Sequence, residues 1–170
     1  SALDLECEPY REQPIALTEE TPLDLRGLGP IRVGMTVDEA SQRSGVPLIS
    51  PGAESEPPGC LYYHPLGGPR EVLFMVSNGQ IVRVDIQNSM TTTLSGVAVG
   101  DTEDRVQSLY PDQIEVLPHK YVPGGHYLTF VPRDGADQDF RVIFETDPER
   151  RVVQMRSGRL PEVGYVEGCA

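Results

Sequence analysis

Two stretches of the chain read as copies of one another: Leu28-Gly29-Pro30-Ile31-Arg32-Val33-Gly34-Met35-Thr36-Val37-Asp38 and Leu94-Ser95-Gly96-Val97-Ala98-Val99-Gly100-Asp101-Thr102-Glu103-Asp104. Leu, Val, Gly, Thr and Asp recur at matching positions, and Ile31 against Val97 keeps a sixth position apolar. An internal repeat of this kind predicts two small supersecondary units, each with too little core to stand alone, that bury their apolar faces against one another. The expected division is a lead-in segment over residues 1–27, one unit over 28–93 and a second over 94–170.

Local signals fill in each unit. Thr36 followed three residues later by Glu39 is a capping box, with Asp38 and Glu39 placed to complement the helix dipole. The helix it opens runs to about Ser44 and stops at Gly45. Strands are expected at Cys60 to His64 and at Glu71 to Val76. Asn78-Gly79 then supplies a type I′ hairpin into a run where Val82, Val84 and Ile86 alternate with Arg83, Asp85 and Gln87. A one-residue slip there would turn three β-branched side chains to water, so the register is well specified.

In the second unit Asp101 or Thr102 caps a helix with Val106, Leu109 and Tyr110 at helical spacing, ended by Pro111. Strands follow at about Gln113 to Val116, His126 to Val131, Phe140 to Glu145 and Val152 to Arg156. Thr146-Asp147-Pro148-Glu149 reads as a β-turn between the last two, and a final extended segment is expected over Glu162 to Val166. Pro9, Pro14 and Pro22 among acidic residues mark the lead-in, whose Leu3, Leu5, Ile15, Leu17, Leu23 and Leu25 can lay an extended apolar strip over the body. The fold class expected from these signals is α+β, two tandem helix-plus-antiparallel-sheet repeats packed as one pseudo-symmetric domain.

The apolar-x-Val-Gly-Met-Thr-x-x-Glu-Ala pattern of Ile31 to Ala40, doubled over Val97 to Val106, resembles the Gly-Met-Thr helix-turn signature of two related groups. These are the bacterial secreted β-lactamase-inhibitor proteins and the small outer-membrane lipoprotein of the barrel-assembly machinery. The resemblance implies a helical segment followed by a small antiparallel sheet in each unit, and it spans residues 28 to 166 with sequence likeness confined to the repeated stretches. Asp101 stands where the pattern wants Met, the inhibitors' paired cysteines within each repeat are missing, and the chain has no Trp. The resemblance therefore implies the fold and not β-lactamase inhibition.

Composition narrows the partners. Asp and Glu number 26 against 14 Lys and Arg, for a net charge of −12 that repels phosphate backbones, so nucleic acid is not an expected partner. That charge serves solubility, or an acidic face recruiting a cationic partner. No run approaches the roughly 18 apolar residues of a membrane span. The chain begins Ser1-Ala2 without Met, which fits a start downstream of a removed signal peptide or lipid anchor and leads us to expect a periplasmic or secreted protein.

Cys7, Cys60 and Cys169 allow three single disulfides. Cys60 with Cys169 is the favoured pair, because it staples the C-terminal residues to the first unit. Closing so long a loop contributes on the order of 4 kcal/mol in the chain-entropy model, an upper figure because native strain subtracts from it. The competing reading is three unpaired thiols in a cytosolic protein.

The densest polar and aromatic cluster is Pro118-His119-Lys120-Tyr121-Val122-Pro123-Gly124-Gly125-His126-Tyr127. It holds two of the three His and the only Lys; the third His lies in Leu61-Tyr62-Tyr63-His64. If the sheets align, Tyr62, His64, His119, Lys120, Tyr121 and His126 converge on one binding surface, where Lys120 and a His hold a carboxylate or phosphate and the Tyr rings supply rigid contact area. A metal site would need His64, His119 and His126 to meet. The plain structural reading is a Gly-Gly hairpin loop whose His and Tyr bond locally.

No Gly-x-Ser-x-Gly elbow, glycine-rich phosphate loop or twelve-residue calcium loop is present, and Asp134-Gly135-Ala136-Asp137-Gln138-Asp139 reads as a solvated acidic loop. The expectation is an exported, non-enzymatic binding module for a protein or a cell-envelope component, without a cofactor or metal. The alternative is a small-molecule or metal-binding protein, with or without catalysis, that uses the His/Lys/Tyr cluster. A third reading is an assembly accessory of the envelope.

Overall fold

The structure, a computed structural model, describes residues 13–50 and 59–169; Cys7 and the start of the lead-in lie outside the described residues. A small antiparallel sheet comes first: β1 (Leu23–Asp24), β2 (Gly27–Leu28) and β3 (Ile31–Arg32). Helix α1 (Val37–Ser44) leads to β4 (Leu48–Ile49), β5 (Cys60–Pro65), β6 (Val72–Ser77) and β7 (Gln80–Ile86). Helix α2 (Glu103–Leu109) leads to β8 (Ile114–Pro118), β9 (His126–Phe130), β10 (Phe140–Thr146) and β11 (Val152–Arg159).

The local chemistry of the two similar stretches is the same. Gly34 and Gly100 take φ of 101° and 100°, a region that favours glycine. Their N–H groups each donate at 2.8 Å, to Ile81 O and Val152 O. Thr36 caps α1 in a full capping box with Glu39, and Thr102 caps α2 by accepting from the Arg105 N–H. Gly45 closes α1 in the left-handed conformation. Thr36→Ala and Thr102→Ala are each expected to cost about 1 kcal/mol, read as a drop in the urea midpoint at unchanged m-value; a null effect at either site would show that its cap carries no stability.

The units those turns were expected to open do not form. Strand β7 pairs with β11 through Arg83–Ile86 and Met155–Gly158, which joins all the later strands into one eight-stranded antiparallel sheet in the order β4-β5-β6-β7-β11-β10-β9-β8. Two helices of 8 and 7 residues are too short to make a layer that divides the chain. The protein is mostly β, and the expected α+β pair of helix-plus-sheet repeats is corrected to a single continuous sheet. Edge strands that could have ended two small sheets instead satisfy each other's backbone groups.

One face of the sheet is the apolar core. Leu128, Phe144, Met155, Ile86 and Val72 form a lateral row through the paired positions of five strands, nearly all without exposed surface. Ala40 of α1 and Val106 of α2 close over this face, together with Leu17, Leu23 and Leu28 from the lead-in and first hairpin. The Asn78-Gly79 turn has positive φ at both residues, 52° and 80°, as a type I′ hairpin requires.

The opposite face was expected to meet water, since Arg83, Asp85 and Gln87 alternate with the apolar residues of β7. It does so only in part. Residues Leu160–Cys169 cross it as a strap, with Val163 buried against Tyr127 and Ile143. The segment expected to be extended over Glu162 to Val166 is instead a 3-10 turn at Glu162–Gly164, which presents its carbonyls to the sheet. The strap ends in a disulfide between Cys60 and Cys169, with Cα atoms 5.6 Å apart, as the favoured pairing predicts. Such a bridge fits an oxidising compartment. Among the described residues no helix is long and apolar enough to cross a membrane.

Candidate functional site

The six residues singled out in the sequence are placed in three separate settings. His119 lies under the strap side of the sheet, 9% exposed, with its ring stacked on Tyr127 at 4.5 Å. Its Nδ1 accepts from the backbone N–H groups of Tyr121 and Val122, both at 3.1 Å. That leaves Nε2 to carry the proton, and it donates to Glu145 Oε1 at 2.7 Å. Both ring nitrogens are thus engaged within the fold.

Lys120 and Tyr121 both reach the strap. The Lys120 ammonium donates to Glu167 Oε1 at 2.8 Å, and the Tyr121 hydroxyl donates to the same oxygen. Tyr62 sits where the strap ends, beside Gly168 and within 3.4 Å of Arg83 Nη2. Burial, followed by the negative charge of Asp85, raises the Tyr62 hydroxyl above its ordinary value, so it stays protonated. Three of the six residues, Lys120, Tyr121 and Tyr62, therefore bear on a segment of the chain itself, and His119 is held by neighbouring strand and loop residues.

The remaining two stand apart. His126 turns to the helix side, where Nδ1 meets Glu103 Oε2 at 2.8 Å; the same oxygen accepts from the Thr146 hydroxyl at 2.7 Å. His64 lines a depression of about 400 Å³ with Pro65, Arg70, Leu73 and Gln87. The three imidazoles do not meet, and among the described residues no group of three or more His, Cys, Asp or Glu could hold a metal ion.

Beneath the strap lies an ionic layer that single-residue reading of the sequence missed. Arg156 and Arg83 are 1% and 3% exposed. Arg156 pairs with Glu145 and donates from Nε to Val163 O at 2.7 Å. Arg83 grips Asp85 in two bonds, 2.7 and 3.0 Å, and donates from Nη1 to Glu162 O and Tyr165 O at 2.9 and 2.7 Å. Consecutive apolar residues such as Val142-Ile143-Phe144 are the signal that could have announced a sheet covered on both faces.

Burial alone would push the Glu145 carboxyl up, but the Arg156 charge and hydrogen bonds from His119, Arg156 and Gln154 outweigh it and hold it below its ordinary value of 4.5. A carboxyl held low in the folded state stabilises the protein above the unfolded value and loses that contribution as pH falls through the folded one. The stability gap between the native chain and Glu145→Gln is therefore expected to be constant from neutral pH to about 4.5 and to shrink below it. Urea midpoints of both proteins across that range check this; a gap that widens in acid would contradict it.

A concavity lies elsewhere, at the mouth between the first hairpin and the end of α2. It encloses about 590 Å³. Leu25, Tyr110, Phe130 and Val142 supply apolar lining, and Asp24, Arg26, Arg133, Asp134 and Asp137 supply polar lining. Tyr110 is held in place from two sides: its ring packs on Phe130 at 5.0 Å and its hydroxyl is 2.7 Å from Thr93 Oγ1. Across the mouth Arg26 donates to Asp137 Oδ1 from Nε and Nη2, at 3.0 and 2.7 Å, and to Ala136 O. Its guanidinium also lies 4.1 Å over the Phe140 ring. Arg26 thus ties the first hairpin to the β9–β10 loop.

No family model and no curated protein matches this sequence. Among solved structures it resembles the 1.5 Å crystal structure of an extracellular protein containing an SCP domain from Bacillus anthracis, with 12% identity and a TM-score of 0.46. The match covers 91% of this chain and 49% of that one, so this chain spans about half the length of that protein. A likeness so distant says nothing about activity.

Proposed function

We propose that the chain is a non-catalytic binding protein of an exported compartment, and that its ligand is a small amphipathic molecule, such as a component of the cell envelope, taken up in the 590 Å³ cleft. The observation that carries this reading is the cleft's composition. An apolar lining of Leu25, Tyr110, Phe130 and Val142 next to an ion-paired rim favours a molecule with an apolar body and a charged or polar head.

Among the described residues the lining has no His, Cys or Lys, and its carboxylates are bound up in structure. Asp24 takes two bonds from Arg32, Asp137 two from Arg26, and Asp134 caps the 3-10 turn at Gly135–Asp137. Groups held this way orient a ligand rather than transfer its protons. The disulfide supports the exported setting. The likeness of the Gly34 and Gly100 turns to those of the inhibitor and envelope-lipoprotein group enters only as a reason to look first among envelope compounds.

The test uses an anilinonaphthalene sulfonate dye, which has an aromatic body and an anionic head, against the native chain and Leu94→Arg. Leu94 lines the mouth and is 71% exposed, so the substitution obstructs the cleft at little expense to folding. Binding of one dye per chain, a raised melting temperature and at least a tenfold weaker Kd for Leu94→Arg are expected. Equal affinity for both proteins would place the dye elsewhere and sink the proposal.

A further inference from the structure

We propose that the sheet face beneath the strap is a peptide-recognition groove filled in cis by residues 160–169, and that reduction of Cys60–Cys169 opens it to an outside peptide that takes up the same turn. This inference is independent of the cleft. It rests on how the strap is held.

Strap residues form no strand with the sheet, and their only regular structure is a three-residue 3-10 turn. The buried apolar contacts are Val163, fully covered, and Val166 beside it, whereas Leu160 and Tyr165 are 40% and 45% exposed. What grips the segment is its backbone: the carbonyls of Glu162, Val163 and Tyr165 accept from Arg83 and Arg156. Main-chain carbonyls are common to every peptide, so two buried guanidiniums aimed at the carbonyls of one turn read that backbone conformation, and pockets then read side chains.

Two positions carry the sequence information. Val163 fills the gap against Tyr127 and Ile143. Four residues later, Glu167 is met by Lys120 and Tyr121. The partner we infer is a peptide with an aliphatic residue followed at the fourth position by a carboxylate. Exposed as it is, the Lys120 contact sets preference and register more than affinity.

The disulfide decides whether the groove is available. Cys60 and Cys169 are both partly exposed, within reach of a dithiol. The dithiol gives up two electrons and two protons, its own sulfurs join, and Cys60 and Cys169 become thiols. Once uncoupled, the strap still competes from the same chain at an effective concentration in the millimolar range, so the bridge and the strap together set a high threshold for an outside peptide.

The experiment is done on the full chain. First, hydrogen exchange is followed in oxidised protein and in protein reduced with dithiothreitol. Reduction is expected to speed exchange at Gly164, Tyr165 and Gly168 at least tenfold while β7, β10 and β11 keep their protection. Unchanged exchange in the strap, or loss of protection throughout the sheet, overturns the proposal by making the segment a structural staple.

Second, a fluorescein-labelled peptide of residues 160–169 with Ser for Cys169 is titrated into the full chain carrying Val163→Asp and Cys169→Ser, in which the cis strap is both untied and spoiled. It is expected to bind at least tenfold more tightly there than to oxidised native protein, and a Val163→Asp peptide is expected to lose that gain. Equal binding to both proteins, no binding to either, or a double variant without native circular dichroism would each refute the groove.

Discussion

Replacing Arg156 with Ala is expected to destabilise the protein by about 3–5 kcal/mol, although no apolar contact of the main core is removed. The guanidinium is 1% exposed and Glu145 is 7% exposed. Deleting the cation leaves a carboxylate in a site largely shielded from water, and it also takes from Val163 O the donor that Arg156 supplies. The carboxylate keeps bonds from His119 and Gln154, which soften the loss without supplying a full positive charge.

The double change Arg156→Met with Glu145→Leu is expected to recover most of that loss, because two apolar side chains carry no desolvation penalty. Urea unfolding at constant m-value measures both proteins. A single variant within 1 kcal/mol of the native chain would mean that the buried pair is solvated or readily replaced, and would undercut the description of this face as sealed.

Phe144→Ala is expected to cost about 3–5 kcal/mol through the opposite face. Phe144 has no exposed surface and sits between Leu128 and Met155 in register, with the Tyr110 ring 6.0 Å away in stacked orientation. Removing the ring takes away its transfer free energy and leaves a cavity that the flanking strands, paired on both sides, are poorly able to close. Tyr110 also loses a wall, so dye binding in the neighbouring cleft should weaken together with stability. Phe144→Leu keeps much of the volume and should cost clearly less. Equal costs for Ala and Leu would show that packing at this point is loose.

These two residues are separated by only a few positions in paired strands, and they illustrate how far the sequence could be read. Phe144 is an apolar residue in a β-type run, and its place in a core follows from pattern. Arg83 alternates with the apolar residues of its strand, and Arg156 and Glu145 share its face of the sheet, yet all three are buried. Alternation says which residues share a face and nothing about what covers it.

His119 shows the same limit. Its residue type and loop position invited a ligand-binding role, yet its two nitrogens are taken up by the Tyr121 and Val122 amides and by Glu145. Sequence proximity to Lys120 and His126 put the three in one cluster. The pleat then sends His119 and His126 to different faces of one sheet, and Lys120 to the strap. The cleft was invisible for a related reason: Leu25, Tyr110, Phe130 and Val142 are far apart in the chain and meet only when the first hairpin packs over the end of α2.

What the chain determined by itself is everything that depends on a few neighbouring residues. The positive-φ turn at Asn78-Gly79, the capping box of Thr36 with Glu39, the stops at Gly45 and Pro111, and the identity of the core strands all rest on local backbone sterics and side-chain periodicity, whereas the choice between Asp101 and Thr102 as the second cap was left to the structure. The pairing of Cys60 with Cys169 was also chosen correctly from sequence, although it needed the fold to bring the two together.

Tertiary structure alone decided that β7 and β11 would pair and so make one sheet of what looked like two. It also decided that the polar face would be roofed by residues 160–169 and that buried arginines would hold the roof by its carbonyls. Those outcomes depend on which distant surfaces exclude water together, a property of the assembled chain that no short window of residues contains.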